Sequence, residues 1–535
     1  MNLHRGAPRR ATWKLSLLAL LALSLLALAP NAPAETTLRM VPHADLKNID
    51  PIWTTAYISR NHGYMVWDTL FGANEKLEPQ PQMVDAWKVS ADGLTYTFTL
   101  REGLRWHDGG PVTAEDCVAS IQRWGKRDGM GQKLMGVVKS LDVVNQRTFR
   151  LVLKEPYGLV IDSLGKLSSN VPFMMPKRYA ETDAFQQVPK ESIGSGPFKF
   201  VVDEWVPGHK AVYVKNKDYK PRSEAPSFAS GGKVVKVDRV EWVYNPDYAV
   251  AVAALQRGEV DIIERPDHDL IPIVANDKNI VVASIDPLGS QGWMRINHLN
   301  PPFDKPKARE ALMWAVDQEQ YLLSVVGNKD YFQRCATFYG CGTPYETDAG
   351  AEAVMAVDLE KAKRLLKESG YNGEKVVLMH PTDLPTLNKA TQVTIQLLRK
   401  LGVNLEVQAM DWSTLTSRRA EKKSIAEGGW SIFHTNWIIP DVFTPTNNIG
   451  LSGGGAESAW FGWPTDKTLE DLRNQWARTT DPAKRKEIAR QIQVEGYKNV
   501  NYIPIGQFYV PTFYRKELRG VIVSPVPFLW NISKG

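Results

Sequence analysis

The side chains of this sequence that could do chemistry include nine histidines, three cysteines and 59 acidic residues. The histidines are scattered, and neither an H-E-x-x-H nor a C-x-x-C pattern occurs, so zinc-hydrolase and iron–sulfur signatures are missing from the sequence. Carboxylate pairs are frequent in so acidic a chain, but no motif supports a glycosidase pair. We therefore expect a protein that is not an enzyme and needs no cofactor, with a secreted hydrolase or carbohydrate-binding protein as the alternative.

The glycine-rich run 194–198, Gly-Ser-Gly-Pro-Phe, could in principle hold a phosphate or a nucleophile. A phosphate loop needs Gly-Lys followed by Ser or Thr at the start of a helix, and Pro197 stands there instead. A nucleophile elbow needs a glycine two residues before Ser195, and Ile193 occupies that place. The run is therefore interpreted as a tight turn that leads into a strand.

The first 34 residues have the composition of an export signal. A basic segment ends at Lys14, an apolar run spans 15–29, and Ala32-Pro33-Ala34 supplies a small-x-small cleavage site. The apolar run is shorter than the roughly 20 residues that a membrane-spanning helix needs. No cysteine follows the signal, so we expect a periplasmic protein without a lipid anchor, beginning at Glu35.

Export places the cysteines in an oxidising compartment. Cys335 and Cys341 flank a loop of five residues, and their spacing predicts a local disulfide. A metal site is the alternative, but two thiols without a nearby histidine would make a poor one. Cys117 occupies an apolar position at a predicted helix start and is interpreted as a small buried side chain.

The charge balance gives no indication of a nucleic-acid partner. The formal net charge is +6, from 65 basic and 59 acidic residues, but four of the basic residues lie in the first 14 positions. Without them 61 basic and 59 acidic side chains remain, a net of +2. Nucleic-acid binding needs a persistent basic face, so we expect none.

The elements that must position any site are clearest in residues 86–120. Between Leu94 and Leu100 apolar residues alternate with threonines, which predicts a half-buried strand. Asp92-Gly93 predicts a hairpin turn that joins this strand to a partner at 87–90. Thr113 and Asp116 form a weak capping box at the start of a helix.

Together these residues form the pattern A-W-x-V-S-x-D-G-x-T-Y-T-F-x-L-R-x-G-x-x-W-H-D-G-x-P-V-T-A-E-D. Over about thirty positions this pattern resembles the signature of the extracytoplasmic solute-binding proteins of peptide and nickel ABC importers, the dipeptide- and oligopeptide-binding family. Further landmarks resemble the family at 46–51, 194–198, 254–261 and 302–318. The resemblance thus extends over nearly the whole exported chain.

The resemblance implies an α/β protein with the two-lobed periplasmic binding protein fold of type II, an extra subdomain inserted in the first lobe, and two hinge strands between the lobes. The hinge strands are expected at 289–297 and 503–508. The implied organisation is a signal at 1–34, a first lobe from 35–79, 192–290 and 505–535, an inserted subdomain at 80–191 and a second lobe at 291–504.

The candidate ligand-binding residues lie mainly in the segment 430–443, where the family keeps its ligand loop. His434, Asn436 and Trp437 combine aromatic with hydrogen-bonding groups, although the first half of the segment also fits a core strand. Tyr57, at the start of a predicted helix over 57–70, and Trp293, in the first expected hinge strand, complete the aromatic candidates.

Asp441 is the nearest carboxylate to the position where the peptide binders of the family hold the amino terminus of their ligand. This chain runs from Trp437 directly to Pro440-Asp441, without the family's Gly-Asp-rich insert. Asp441 could bind a cationic group of the ligand or could brace the loop beside Pro440, and both interpretations stay open.

The function implied by the resemblance is that of the substrate-binding subunit of an ABC importer. It would capture short peptides or peptide-like solutes between its lobes, as a monomer, and deliver them to permease subunits in the inner membrane. The same fold could instead bind a metal chelate, an opine or a sugar.

Overall fold

The computed structural model describes residues 35–190 and 193–535. The predicted signal at 1–34 and the proposed domain boundary at 191/192 lie outside these residues. None of the helices in the described part has the length and apolar character needed to cross a membrane.

A seven-stranded sheet, called here the first sheet, forms around the strand Thr37–Val41. This strand pairs in parallel with a neighbour on either side, and the outer pairs are antiparallel. In spatial order the strands are Phe198–Phe200, Lys210–Lys215, Arg239–Val243, Thr37–Val41, Ile262–Ile263, Thr512–Arg515 and Ile280–Ala283.

A six-stranded sheet, the second sheet, is built from later parts of the chain. The sequence predicts a βαβ unit with strands at 376–379 and 403–408 and a helix at 387–401. The structure confirms it, since Val376–Pro381 and Leu405–Met410 pair in parallel and are joined by the helix Pro385–Lys400. In spatial order the strands are Phe332–Gln333, Ile503–Phe508, Ser290–Ile296, Ile432–Ile438, Val376–Pro381 and Leu405–Met410.

A four-stranded antiparallel sheet contains the predicted hairpin. Trp87 lies opposite Phe98, and the turn between the strands has Gly93 at a φ of 70°. Thr113 and Asp116 form both bonds of the predicted capping box. The strands in spatial order are Val84–Val89, Thr95–Leu100, Thr148–Leu153 and Val138–Asn145.

The helices follow from their capping residues and apolar faces. Asp247 accepts the N–H groups of Ala249 and Val250 at one helix start, and Gly258 ends the same helix at a φ of 75°. The α-helices are Tyr57–Val66, Ala114–Trp124, Gly129–Val137, Val160–Leu164, Lys177–Ala180, Tyr248–Arg257, Ile271–Val274, Pro306–Ala315, Gln318–Val325, Glu352–Met355, Leu359–Glu368, Pro385–Lys400, Trp412–Arg418, Gly455–Ser458, Lys467–Arg478 and Pro482–Asn499.

Short strand pairs and 3-10 turns complete the described chain. The pairs are Asp68–Thr69 with Phe173–Met174, Phe71–Ala73 with Pro79–Pro81, and Leu518–Arg519 with Ser533–Lys534. The 3-10 turns are Val202–Glu204, His268–Leu270, Lys329–Tyr331, Ile425–Glu427, Ile439–Asp441 and Ile449–Leu451.

Two expectations about elements are wrong. The helix from Tyr57 ends at Val66 instead of Leu70, because Trp67 is extended and the chain enters the strand Asp68–Thr69. The resemblance also implies that the tail 518–529 completes the sheet of the first lobe, but the tail does not pair with the first sheet. The strand Thr512–Arg515 occupies that place, and the tail contributes only Leu518–Arg519 to a separate pair.

The chain passes between the first and second sheets twice. It leaves the first sheet at Ala283 and enters the second at Ser290, and it leaves the second at Phe508 and re-enters the first at Thr512. Gly289 has a φ of 73° at the first passage, where a Cβ would lie 2.7 Å from the carbonyl oxygen of Phe508. A side chain at this position would therefore disturb both passages.

The cysteines have the predicted states. Cys335 and Cys341 form a disulfide with their Cα atoms 5.8 Å apart. Gln507, in the strand Ile503–Phe508, accepts the N–H of Cys341 at 2.8 Å, so the loop closed by the disulfide is held against that strand. Cys117 is a buried free thiol, and burial raises the pKa of this thiol.

Candidate ligand-binding site

A cleft with about 650 Å³ of empty space lies between the first and second sheets. Its walls come from segments that follow strands of both sheets, a common place for ligands in two-lobed proteins. The lining residues are His43, Thr55, Ala56, Tyr57, Tyr248, Arg265, Pro266, Leu384, Pro385, Thr386, Leu387, Trp412, Arg419, Thr435, Asn436, Trp437 and Val510.

Three of the residues proposed from the sequence line this cleft, namely Tyr57, Asn436 and Trp437. The rings of Tyr57 and Trp437 meet edge to face with their centroids 6.1 Å apart. Asn436 donates its amide to the hydroxyl of Thr386 at 2.9 Å, which orients the amide group at the wall. The cleft thus offers apolar ring faces beside one oriented hydrogen-bonding side chain.

His434 lies on the same strand but outside the lining. Its Nε2 is 2.6 Å from the hydroxyl of Thr394, which in turn contacts the phenol of Tyr321 at 2.6 Å. Burial lowers the pKa of His434 to about 3, so the ring is neutral at physiological pH. The structure places this histidine in the packing between the second sheet and the helix Pro385–Lys400.

Trp293 lies behind the wall of the cleft. Its ring stacks on Tyr502 with the centroids 3.8 Å apart and lies 5.2 Å from the ring of Trp437. Its indole N–H donates to the side chain of Gln291 at 2.7 Å. Trp293 therefore supports Trp437 and does not itself line the cleft.

Asp441 is buried in a hydrogen-bond network between segments of the two sheets and does not line the cleft either. Its Oδ2 accepts the phenol of Tyr57 at 2.6 Å and the hydroxyl of Ser168 at 2.9 Å. Arg60 donates to the same Ser168 at 2.6 Å. Burial raises the pKa of Asp441, although Lys166 and these hydrogen bonds act in the opposite direction.

Tyr57 completes that network from the side of the ligand loop. Its phenol oxygen accepts the backbone N–H of Ile438 at 2.8 Å while its hydrogen goes to Asp441. The ring of Tyr57 also lies under the guanidinium of Arg60, 4.1 Å from its centroid. One side chain therefore lines the cleft and links the end of the strand Ile432–Ile438 to the helix Tyr57–Val66.

The sequence reasoning missed the two arginines of the lining. Arg419 follows the helix Trp412–Arg418 and is 1% exposed, and its Nη2 donates to the hydroxyl of Thr55 at 2.8 Å. Arg265 is half-buried and donates to the hydroxyl of Ser290 at 3.0 Å. The only signal in the sequence is the pair Arg418-Arg419, which is typical of an ordinary helix end.

The histidine of the lining is already paired. Nδ1 of His43 lies 2.8 Å from Oε2 of Glu264, and the backbone N–H of His43 donates to the same oxygen at 2.8 Å. Although burial acts to raise the pKa of Glu264, the contact with His43 lowers it to about 2. Glu264 is thus ionised and fixes the His43 ring at the edge of the cleft.

Comparison with known proteins connects this architecture to a family. The sequence profile described as bacterial extracellular solute-binding proteins, family 5 Middle, matches residues 78–459. The probable peptide ABC transporter periplasmic-binding protein y4tO of Sinorhizobium fredii is 41% identical over 532 residues, which cover 98% of this chain and 99% of the relative.

Two solved structures share the fold. AgaA of A. tumefaciens R10, in complex with agropinic acid, superposes with a TM-score of 0.79 at 20% identity, over 93% of this chain and 99% of the other. DppA of Helicobacter pylori, in complex with the peptide STSA, superposes with a TM-score of 0.77 at 22% identity, over 94% of this chain and 98% of the other. This chain, with its type II periplasmic binding protein fold, belongs to the bacterial extracellular solute-binding proteins of family 5.

Proposed function

We propose that this protein captures short peptides or peptide-like solutes in the periplasm, as a monomer, and delivers them to the permease subunits of an ABC importer. The observation that carries the proposal is the cleft itself, whose lining comes from both sheets. The family and the name of the Sinorhizobium fredii relative support the peptide-like class. Chemistry on the solute is not part of this function.

The proposed mechanism is capture by closure. Two bodies joined by two short connections can rotate about them, and a ligand that contacts both bodies stabilises the closed form. We propose the two passages at 284–289 and 509–511 as the hinge. The boundary expected at 504/505 falls inside the strand Ile503–Phe508, which belongs to the second sheet, so the proposed limit of the second lobe moves to Phe508.

Each proposed ligand contact has a definite part. Trp437 and Tyr57, whose rings contact each other edge to face, would together form an apolar wall against a side chain of the solute, and Asn436 would hydrogen-bond to a peptide-like amide. Two residues behind the cleft wall would stabilise the closed form indirectly. Asp441 would position Tyr57 through their hydrogen bond, and Trp293 would support the ring of Trp437. His434 is proposed to hold the strand of the ligand loop against its helix.

The test is to purify the protein from its native host and identify by mass spectrometry the small molecules that it releases on denaturation. Titration of the stripped protein with di- and tripeptides, followed by tryptophan fluorescence, then measures affinity, since Trp412 and Trp437 line the cleft. Intact peptides or peptide-like conjugates are expected in the released fraction. Cleaved products of an added peptide, or neither a released nor a titrating solute of this class, would contradict the proposal.

A matched pair of variants locates the binding. Asn436→Ala removes an amide from the cleft wall, whereas Asn372→Ala removes an exposed amide that does not line the cleft. Loss of one neutral hydrogen bond should weaken binding by about 0.5–1.5 kcal/mol, a factor of roughly 2 to 13. Binding that weakens equally in both variants would place the solute elsewhere.

A further inference from the structure

The loop that the disulfide closes lies beside the chain where it passes from the second sheet to the first. Just before the loop, the strand Phe332–Gln333 pairs with the end of the strand Ile503–Phe508. The carbonyl group of Tyr331 accepts the N–H of Tyr509 at 2.8 Å. Since Tyr509 begins the second passage, the segment 331–341 is bound to the chain at the point where it leaves the second sheet.

Tyr509 is also held from the side of the first sheet. Its carbonyl oxygen lies 2.8 Å from Nε2 of His268, which begins a 3-10 turn after the first-sheet strand Ile262–Ile263. The ring of His268 meets the ring of Tyr331 edge to face, with the centroids 5.7 Å apart. The second passage thus makes one hydrogen bond to each side of the proposed hinge, and a shift of the segment 331–341 would act on it directly.

Gln507 connects the disulfide loop to the first passage as well. Its Oε1 accepts the N–H of Cys341 at 2.8 Å, and its Nε2 donates to the carbonyl group of Leu288, in the first passage, at 3.0 Å. The side chain is 1% exposed, so each of these bonds is costly to lose. The sulfur of Cys335 lies 3.4 Å from the same Oε1. Reduction would convert this sulfur into an S–H donor that competes with the N–H of Cys341 for one oxygen.

Three further glutamines, all fully buried, hold the rest of the loop. Gln318 accepts the N–H of Cys335 at 2.8 Å and donates to its carbonyl group at 3.0 Å. Gln291, in the strand that follows the first passage, donates to the carbonyl group of Thr337 at 2.7 Å. Gln493 accepts the hydroxyl of Thr337 at 2.9 Å. A fully satisfied buried network of this kind specifies one conformation of the loop, and the disulfide closes the loop in that conformation.

We propose that the disulfide Cys335–Cys341 is a redox-sensitive control of the hinge. With the bond closed, the segment 331–341 fixes the two passages about which the lobes rotate. With the bond reduced, Gln507 and Tyr331 hold the passages less tightly, so the open forms gain conformational freedom and the closed form is less populated. The inference rests on the proposed capture by closure and adds a covalent state of the chain on which affinity depends.

The reductant in this reaction is a dithiol. One of its thiolates attacks the sulfur of Cys341, which is half-buried, whereas Cys335 is fully buried. The sulfur–sulfur bond breaks, Cys335 leaves as a thiolate and takes up a proton, and a mixed disulfide remains on Cys341. The second thiolate of the reagent then attacks the mixed disulfide and releases Cys341, which is protonated in turn. The protein has then been reduced to the dithiol form, and the reagent has been oxidised to its disulfide.

Amide hydrogen exchange of the ligand-free protein tests the control of the hinge without a solute. After treatment with dithiothreitol, amides of 284–289 and 508–511 should exchange faster by a factor of roughly 2 to 13, the value of one neutral hydrogen bond. The helix Tyr248–Arg257, which shares a core with strands of the first sheet, should exchange at an unchanged rate. Unchanged rates in the passages, or the same acceleration in the helix, would overturn the inference.

Affinity is measured by calorimetry with the tripeptide Ala-Phe-Ala as the probe. Reduction should weaken its binding by the same factor. The double variant Cys335→Ser with Cys341→Ser should bind as weakly as the reduced protein and should not respond to dithiothreitol. Cys117→Ser is the matched control, because it removes the free thiol and should respond as the wild type does. Equal affinity before and after reduction would overturn the inference. If the probe binds neither form, the proposed peptide class loses support, and the exchange rates alone decide whether the disulfide controls the hinge.

Discussion

The phenol of Tyr57 donates a 2.6 Å hydrogen bond to the carboxylate of Asp441, although 384 residues separate them in the chain. Tyr57 begins a helix that packs on the first sheet, and Asp441 ends the 3-10 turn Ile439–Asp441 that follows a strand of the second sheet. The bond therefore connects two parts of the protein that only tertiary structure brings together, beside a residue that lines the cleft.

A double-mutant cycle measures this connection. A buried hydrogen bond to a charged group contributes about 1.5–3 kcal/mol, so Tyr57→Phe and Asp441→Asn should each destabilise the protein, and the double variant should lose less than the sum. Urea unfolding of the four proteins gives the coupling free energy. Strictly additive losses would show that the two side chains act independently.

Arg419→Met should leave the free energy of unfolding of the ligand-free protein unchanged or raise it by about 1–2 kcal/mol, because it removes a buried charge with a single partner. Arg295→Met leaves four buried backbone carbonyl groups without their hydrogen-bond donor, so it should lower the free energy of unfolding by at least about 3 kcal/mol. Denaturant unfolding of both variants tests the contrast. A comparable loss of stability in both variants would show that Arg419 stabilises the fold in the same way as Arg295.

The pH dependence of stability should carry a contribution from Asp286, which lies in the first passage between the sheets. Burial raises the pKa of Asp286 to about 6, although Arg265 and the N–H groups of Leu288 and Gly289 favour its ionised form. The folded state thus holds this proton between the ordinary pKa of 3.8 and about 6, where the unfolded state has lost it. Stability from this group is therefore present below that window and falls as pH rises through it.

Asp286→Asn removes the titration and keeps an oxygen acceptor for the two N–H groups. The variant should gain stability relative to the wild type as pH is raised from 4 to 7, as measured by urea unfolding at each pH. A difference between the two proteins that does not change with pH would show that Asp286 titrates at its ordinary pKa.

Removing the disulfide with Cys335→Ser and Cys341→Ser should lower the free energy of unfolding by about 2 kcal/mol, since the closed loop is short. Maleimide labelling gives an independent check of the pairing. Denatured, unreduced protein should acquire one label, on Cys117, and reduced protein should acquire three. Three labels without reduction would exclude the bond.

The parts of the fold that depend on neighbouring residues could be predicted from the sequence. The hairpin around Gly93, the capping box at Thr113 and the βαβ unit after Val376 each follow from alternation, turn residues or caps within a short window. The strand Thr512–Arg515 was not predicted, because its neighbours in the sheet lie more than 200 residues earlier in the chain.

The candidate site could be predicted only in part, for the same physical reason. The ligand loop was found because aromatic and amide side chains cluster in it, and Asn436 and Trp437 do line the cleft. Arg419 could not be found, because what distinguishes it is the lack of partners around its guanidinium after folding. A sequence shows which polar groups a residue carries, but only the folded structure shows which of these groups have hydrogen-bond partners.

The place of Thr512–Arg515 between Ile262–Ile263 and Ile280–Ala283 has a consequence for biosynthesis. A nascent chain that has reached residue 500 holds every strand of the second sheet except Ile503–Phe508, while the first sheet is still split by a gap. Its two open edges would attract other chains until the last few dozen residues emerge from the ribosome. Premature stops between 500 and 511 should therefore yield aggregated or degraded protein instead of a stable shortened form.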